Sequence, residues 1–127
     1  MDNDASPSGN SAHSIPDLTG ALASFEGQKH AIVLQEFPDP DAIACGFAHQ
    51  IICRHFDIEA DIYYCGCISH QQNIALVNLL GIELNRFENK MDMKSYDGAV
   101  FVDNQGTTAG PVLAALEKAG VPAAIII

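Results

Sequence analysis

The amino-acid sequence predicts an α/β domain with a mostly parallel sheet and helices on both faces. Three observations predict this fold class: short apolar stretches typical of buried strands, stretches with helical spacing between them, and turn residues at the boundaries. Strands that alternate with helices of about ten to fifteen residues form crossover units, which place the strands in parallel. The length of 127 residues allows one domain with a real core and excludes two full domains.

The N-terminal region is predicted to change from disorder to structure near Pro16. Residues 1–15 are rich in Asp, Asn, Ser and Gly without periodicity, which is typical of a disordered leader. The domain is then predicted over residues 16–127, and it opens with a short amphipathic helix, PDLTGALASF. The apolar run HAIVLQ at residues 30–35 precedes a proline-rich turn and indicates the first buried strand.

The middle of the chain alternates between helical and strand patterns. A helix is predicted from Asp41 to His55, because apolar residues recur there at helical spacing and Asp41 is well placed as the N-cap. The β-branched and aromatic run IEADIYYC at residues 58–65 predicts the second strand. The stretch SHQQNIALVNLLG at residues 69–81 predicts a helix that is opened by a serine cap and closed by Gly81.

The C-terminal part continues the alternation. IELNRF predicts a weak third strand, and GAVFVD at residues 98–103 predicts a fourth. TTAGPVLAALEKAG predicts a helix with Thr or Gly near its start and Gly120 at its end, and VPAAIII predicts a fifth strand. A buried parallel strand with no loop and helix after it predicts a domain that is incomplete at its C-terminus.

Charge and composition exclude several classes of function. The formal net charge is −10 at pH 7, whereas a surface that grips long nucleic acid is basic. The first ten residues lack the charged and apolar regions of a secretory signal, and no run approaches the length of a membrane span. The sequence therefore predicts a cytoplasmic protein that binds neither long nucleic acid nor a membrane.

The four cysteines agree with a reducing compartment. Cys45 and Cys53 fall within an apolar helical pattern, where a thiol packs as a small hydrophobe. Cys65, Cys67 and His70 would supply three zinc ligands, but C-x-C is not the C-x₂₋₄-C spacing of structural zinc sites. Buried or half-buried thiols are therefore predicted in place of a zinc site.

Three aspartates follow the carboxyl ends of predicted strands. Asp39 and Asp41 come after the first strand, and Asp103 closes the fourth. If these strands are neighbours, the carboxylates converge, and each pair about 4 Å apart would repel by roughly 4 kcal/mol at an effective dielectric constant of about 20. Divalent cations such as Mg²⁺ or Mn²⁺ would remove that cost. The same residues also have a structural interpretation as a turn residue, an N-cap and a helix-entry residue.

These stretches resemble the opening of a DHH-family phosphoesterase. The similarity lies in PDPDA after an apolar strand, VFVDNQG later and the final AAIII, in matching order and spacing over about residues 28–127. The resemblance implies a Rossmann-like DHH domain. It also implies hydrolysis of phosphoester bonds in short nucleotides, such as oligoribonucleotides, 3′-phosphoadenosine 5′-phosphate or cyclic dinucleotides.

The resemblance also implies the site residues. Asp39, Asp41 and Asp103 match aspartates that hold two Mn²⁺ or Mg²⁺ ions, which activate the attacking water. Gln35 stands where the family has a histidine, and an amide oxygen is a weaker, neutral ligand. The Asp-His-His motif would follow the end of the chain, so this part alone is expected to bind metal weakly and to show little or no catalysis. From its place near the start of a helix, His70 is a candidate for contacting the substrate phosphate.

Other functions stay open from the sequence. A non-catalytic nucleotide-binding or regulatory module is one alternative, and Gln35 supports it. A haloacid-dehalogenase-type phosphatase also uses D-x-D, but directly after the strand, whereas EFPDPDAI inserts a polar residue and a proline turn. A receiver domain would have an adjacent acidic pair on the first strand and a lysine after the last. The exposed edge of an AAIII strand allows a homodimer.

Overall fold

A computed structural model gives the fold and describes residues 14–34, 38–65, 71–88, 91–102 and 110–127. Within these ranges helices and strands alternate. The helices are α1 (Ser14–Ser24), α2 (Pro40–His55), α3 (Gln71–Leu80) and α4 (Gly110–Ala119). The strands are β1 (Lys29–Val33), β2 (Glu59–Tyr64), β3 (Leu84–Arg86), β4 (Gly98–Phe101) and β5 (Ala123–Ile126).

The five strands form one parallel sheet in the order β3-β2-β1-β4-β5. Val33 of β1 lies opposite Tyr63 of β2 on one side and Phe101 of β4 on the other. β2 and β3 therefore lie on one side of β1, and β4 and β5, which come later in the chain, lie on its other side. This is the strand order of doubly wound, Rossmann-like folds, and the crevice between β1 and β4 is its topological switch point. The predicted α/β fold with a parallel sheet is confirmed.

Helices cover both faces of the sheet, as predicted. Successive side chains of a strand point to opposite faces, and those of β1 fall into two different hydrophobic clusters. Val33 lies in a cluster with Val112 and Leu116 of α4. Ile32 lies in another cluster with Ile43 of α2, against which α3 also packs. The central strands are therefore buried on both sides, which explains why their sequences are continuously apolar.

A polar cluster fixes the segment between β3 and β4 to the face that α4 covers. The Tyr96 hydroxyl donates to the Asp61 carboxylate of β2 at 2.7 Å and lies 2.7 Å from the Tyr63 hydroxyl. The Lys29 ammonium lies 5.0 Å from the centre of the Tyr96 ring, and the Lys29 N–H donates to the Asp97 carboxylate at 2.9 Å. Burial, together with the hydrogen bonds to Tyr63 and Asp61, raises the pKa of Tyr96. The tyrosine therefore stays neutral and bonded, and it holds the segment on the sheet.

The start of α2 corrects one prediction. The N-cap is Asp39 and not Asp41, which lies in the first turn. The prediction was wrong because Pro40 occupies the first helical position, where its fixed φ suits the helix and its missing N–H would have had no partner in any case. The helix therefore begins at Pro40, earlier than predicted, and includes Asp41 in its first turn.

The ends of the other helices lie close to their predicted positions. α1 begins at Ser14, two residues before the predicted start. α3 and α4 are followed by Gly81 and Gly120, whose φ angles of 65° and 74° are the left-handed conformation that closes a helix. The predicted caps of α3 and α4, Ser69 and the threonines at 107 and 108, lie outside the described residues. None of the described helices combines the length and the apolar character needed to cross a bilayer.

Candidate metal centre

Helix α2 begins at the carboxyl edge of the sheet with an aspartate cap. Asp39 has an extended backbone, with φ −87° and ψ 172°, and its Oδ1 accepts the Ala42 N–H at 2.8 Å. Asp41 follows in the first turn. The partial positive charge of a helix N-terminus favours anions, so both carboxylates lie where negative charge is stabilised. The cap bond engages one of the two carboxylate oxygens of Asp39, so this residue can serve as cap and ligand together.

The ends of β1, β4 and β5 lie at the same level. The Val102 N–H donates to the Val33 carbonyl at 3.0 Å, and the Ile127 N–H donates to the Phe101 carbonyl at 2.8 Å. The segments that follow β1 and β4 therefore start side by side at the switch point. The neighbouring placement of these two strands is the condition under which the aspartates are predicted to converge.

A cavity of about 340 Å³ opens at this edge, between the start of α2 and the ends of β4 and β5. Its described lining residues are Asp39, Asp41, Ala42, Cys45, Val102 and Ile127. Asp39 and Asp41 are exposed to solvent. The volume lies at the lower end of the roughly 300–1,000 Å³ of small-molecule sites. Two of the predicted metal ligands thus line one concave site, at the place where Rossmann-like folds bind ligands.

The other predicted site residues, Gln35, Asp103 and His70, lie outside the described residues. Asp103 directly follows Val102, which is part of the cavity wall. Across the described ranges, no group of three or more His, Cys, Asp or Glu side chains is arranged to hold a metal ion. Two carboxylates are a donor set that fits a hard cation such as Mn²⁺ or Mg²⁺. They supply only part of a coordination shell, and further ligands are required to complete it.

Cys45 and Ile127 also line the cavity, although neither was among the predicted site residues. Cys45 is half-buried and follows Asp41 by four positions on α2, so the two lie on the same side of the helix. The four-residue spacing from Asp41 is the sequence signal by which Cys45 could have been predicted to lie near the site. Ile127 comes from the end of β5, and only the strand order brings it next to α2. The cavity therefore has apolar and thiol walls beside its two carboxylates.

The remaining described cysteines are buried, as predicted. Cys53 is 0% exposed and Cys65 is 6% exposed. Burial raises the pKa of the Cys53 thiol to about 11, so this side chain packs as a neutral hydrophobe. Cys67 and His70, the other members of the zinc set considered from the sequence, lie outside the described residues.

A buried histidine pair lies where α2 packs on β1. His30 of β1 is 0% exposed and His49 of α2 is 5% exposed. His30 Nε2 lies 2.9 Å from Gln28 Oε1, but His30 Nδ1 and His49 Nε2 have no hydrogen-bond partner among the described residues. Burial lowers the pKa of both histidines. The neutral forms of both histidines are therefore favoured in the folded state.

The chain is similar to an uncharacterized protein, MJ1633, of Methanocaldococcus jannaschii. The two sequences are 35% identical over 75 residues, which cover 59% of this chain and 16% of the relative. The chain thus spans a minor part of the length of the relative that it matches. No protein-family model and no solved structure matches the chain.

Proposed function

We propose that this chain belongs to a metal-dependent phosphoesterase of the DHH type, which hydrolyses phosphoester bonds in short nucleotides. The observation that carries the proposal is the cavity at the switch point, where Asp39 and Asp41 come together beside Val102. Asp103, the third aspartate of the resemblance, is the next residue after Val102. Asp39 and Asp41 thus lie at the carboxyl edge of the sheet, beside the strand end that Asp103 follows in the sequence.

The proposed roles follow from the donor types. Asp39, Asp41 and Asp103 would hold Mn²⁺ or Mg²⁺, and Gln35 would contribute an amide oxygen as a weaker ligand. Two bound ions would supply positive charge to the phosphoryl oxygens and activate a water for attack. The cap bond at 2.8 Å would hold the Asp39 carboxylate in place, and Asp41 would extend from the first turn of the same helix.

The charge of the site makes phosphate binding conditional on the metal. None of the described residues that line the cavity is basic, and two are carboxylates. The whole chain carries a formal net charge of −10. The charged side chains of the described site would therefore repel a phosphoester until divalent cations reverse the charge of the site. This condition separates the proposed enzyme from a module that binds nucleotides through its own side chains.

The proposed substrate is a small nucleotide or a short oligonucleotide. The cavity of about 340 Å³ suits one terminal group of such a substrate, and the acidic chain argues against long nucleic acid. His70 is proposed to contact the substrate phosphate, and the protein is proposed to act in the cytoplasm. The edge strand β5 carries Ile126, which is 55% exposed, so a second copy of the chain is a proposed partner at that edge.

Binding of 3′-phosphoadenosine 5′-phosphate tests the proposal. By isothermal titration calorimetry, we expect the affinity to fall at least about tenfold, or about 1.4 kcal/mol, when EDTA replaces Mn²⁺. Asp41→Asn should cause a similar loss in the presence of Mn²⁺, because it removes one negative ligand. Glu26→Gln is the matched control, since Glu26 is exposed and lies before β1, at the end of the sheet where the strands begin. This variant should bind like the parent chain.

The outcomes separate the alternatives. Equal affinity with and without Mn²⁺ would contradict the proposal and favour the non-catalytic nucleotide-binding module. Absence of binding in both conditions would contradict a nucleotide substrate. A haloacid-dehalogenase-type enzyme would form a phosphoaspartate at Asp39 when incubated with acetyl phosphate and Mg²⁺, and a receiver domain would form one at Asp103. The DHH proposal predicts no phospho-enzyme by mass spectrometry, so a stable one would exclude it.

A further inference from the structure

A second cavity lies on the opposite side of the sheet from α2. It has a volume of about 590 Å³ and lies between α4 and the segment that follows β3. This volume is well within the roughly 300–1,000 Å³ of small-molecule sites. The proposed phosphoesterase chemistry does not use it, since Asp39 and Asp41 line the other cavity.

Helix α4 forms one wall, mainly with small side chains. Pro111, Ala114, Ala115 and Lys118 line the cavity, and their spacing of three, four and seven positions places them in one stripe along the helix. The neighbouring stripe contains the buried Leu116, which packs against the sheet. Larger residues at positions 114 and 115 would fill the space between the helix and the facing segment. The alanines therefore keep the cavity open.

The facing wall is apolar and adaptable. It contains Phe87, Met91 and Met93. Phe87 and Met93 are 7% and 2% exposed and belong to the hydrophobic core, whereas Met91 is 37% exposed. An aromatic ring and flexible thioethers are side chains that accommodate a planar or aliphatic body. This wall therefore favours an organic ligand over a bare inorganic ion.

The charged residues of the cavity favour an anion. Lys94 and Lys118 line it from opposite walls, and both side chains are exposed. The chain has only six Lys and Arg residues against sixteen Asp and Glu, so two lysines at one cavity reverse the local charge. Asp92 also lines the cavity, and its carboxylate accepts the Lys94 backbone N–H at 2.9 Å, so the three charged lining side chains together leave a net charge of +1.

We propose that this cavity binds a small organic anion, with its aromatic or aliphatic body between α4 and Phe87 and its anionic group beside Lys94 and Lys118. The apolar walls provide the larger part of the contact area, and the two lysines provide the selection for negative charge. Because the site is separate from the carboxylate cavity, its occupancy does not depend on divalent cations.

Two fluorescent probes with related ring systems test the proposal in the 127-residue chain. 8-Anilinonaphthalene-1-sulfonate is anionic, and N-phenyl-1-naphthylamine is neutral. Removing both charges with Lys94→Gln and Lys118→Gln should weaken binding of the anionic probe about fivefold and change binding of the neutral probe less than about twofold. Arg86→Gln is the matched control, because Arg86 is exposed on β3 and is not among the lining residues.

A second pair of variants tests the shape of the cavity. Ala115→Leu should weaken both probes at least about tenfold, because the larger side chain occupies the space of the ligand. Ala48→Leu makes the same change at an exposed position of α2 and should leave both affinities unchanged. Because Lys94 and Lys118 are exposed, their substitution leaves the fold intact and gives a decisive result even if Ala115→Leu does not fold.

The proposal fails if the lysine substitutions leave the affinity for the anionic probe unchanged, or if Ala48→Leu weakens binding as much as Ala115→Leu. It also fails if the probe binds elsewhere. Amide chemical-shift changes should therefore cluster on α4 and around Met93. Changes confined to α3, where Leu79 is 83% exposed, would place the probe on an ordinary apolar surface and overturn the proposal.

Discussion

Lowering the pH from 7 to 5 is expected to destabilise the fold steeply, because two buried histidines resist protonation in the folded state. His30 and His49 are both buried, and one ring nitrogen of each has no partner among the described residues. Burial lowers both pKa values below the ordinary value of 6.5, and the nearby His30 lowers that of His49 further. The charge of Asp97 acts in the opposite direction on His30.

The direction of the pH effect follows from linkage. A histidine with a lowered pKa in the folded state contributes stability that is fully present above the unfolded pKa near 6.5. That contribution is lost as the pH falls through the lowered pKa of the folded state. Each histidine adds a slope of up to about 1.4 kcal/mol per pH unit in this range, so the pair adds up to about 2.7 kcal/mol per pH unit. Urea unfolding at several pH values between 7 and 5 measures this slope of the unfolding free energy.

Two variants on α2 separate the buried pair from other titrating groups. His49→Gln removes one buried titrating ring and should reduce the pH slope of the unfolding free energy by about half of the pair's contribution. His55→Gln, at the exposed end of the same helix, should leave the slope unchanged. A flat pH profile in the parent chain, or equal flattening by both variants, would contradict a role for the buried pair.

Ile43→Ala is expected to lower the free energy of unfolding by about 2–5 kcal/mol, the usual cost of a large cavity in a core. Ile43 is 0% exposed and packs with Ile32, Leu34 and Val102 between α2 and the sheet. It is also two positions after Asp41, so its loss should loosen the first turn of α2. Urea denaturation gives the stability, and Mn²⁺ affinity should fall with it because the carboxylates are held less firmly.

Ile52→Ala is the matched control for this substitution. Ile52 lies on the same helix and is 40% exposed, so the same change there should cost less than about 1 kcal/mol. Similar losses in the two variants would show that α2 does not pack on the sheet through Ile43.

Much of the fold was predictable because local patterns and tertiary structure agree. The continuous apolar run at β1 reflects burial on both faces, and the glycines after α3 and α4 close those helices in the left-handed conformation. The strand order was not predictable, since a crossover helix has enough length to place β4 on either side of β1. The choice of Asp39 over Asp41 as the cap was missed because both residue types suit that position, and Pro40 decides between them.

The candidate site was predictable only in part. Asp39 and Asp41 carry a recognisable motif, and the structure brings them to one cavity. Cys45 and Ile127 line the same cavity but look like ordinary apolar positions in the sequence. The burial of His49 against β1 depends on how α2 packs, which helical spacing alone does not specify. The cavity beside α4 is a gap between distant segments, so no local pattern indicates it.

Titration with Mn²⁺, followed by the loss of the free-ion electron paramagnetic resonance signal, tests most directly whether Asp39 and Asp41 form part of a divalent-cation site. Asn caps a helix about as well as Asp does, so Asp39→Asn removes the charge while it preserves the start of α2. Asp39→Ala removes both the charge and the cap. Glu26→Gln again serves as the control for an exposed carboxylate, at the end of the sheet where the strands begin.

We expect the parent chain and Glu26→Gln to bind Mn²⁺ alike. Asp39→Asn and Asp41→Asn should each weaken binding at least about tenfold, or about 1.4 kcal/mol. Unchanged Mn²⁺ affinity in both asparagine variants would contradict the metal site. The two aspartates would then serve only as the cap and a first-turn residue of α2.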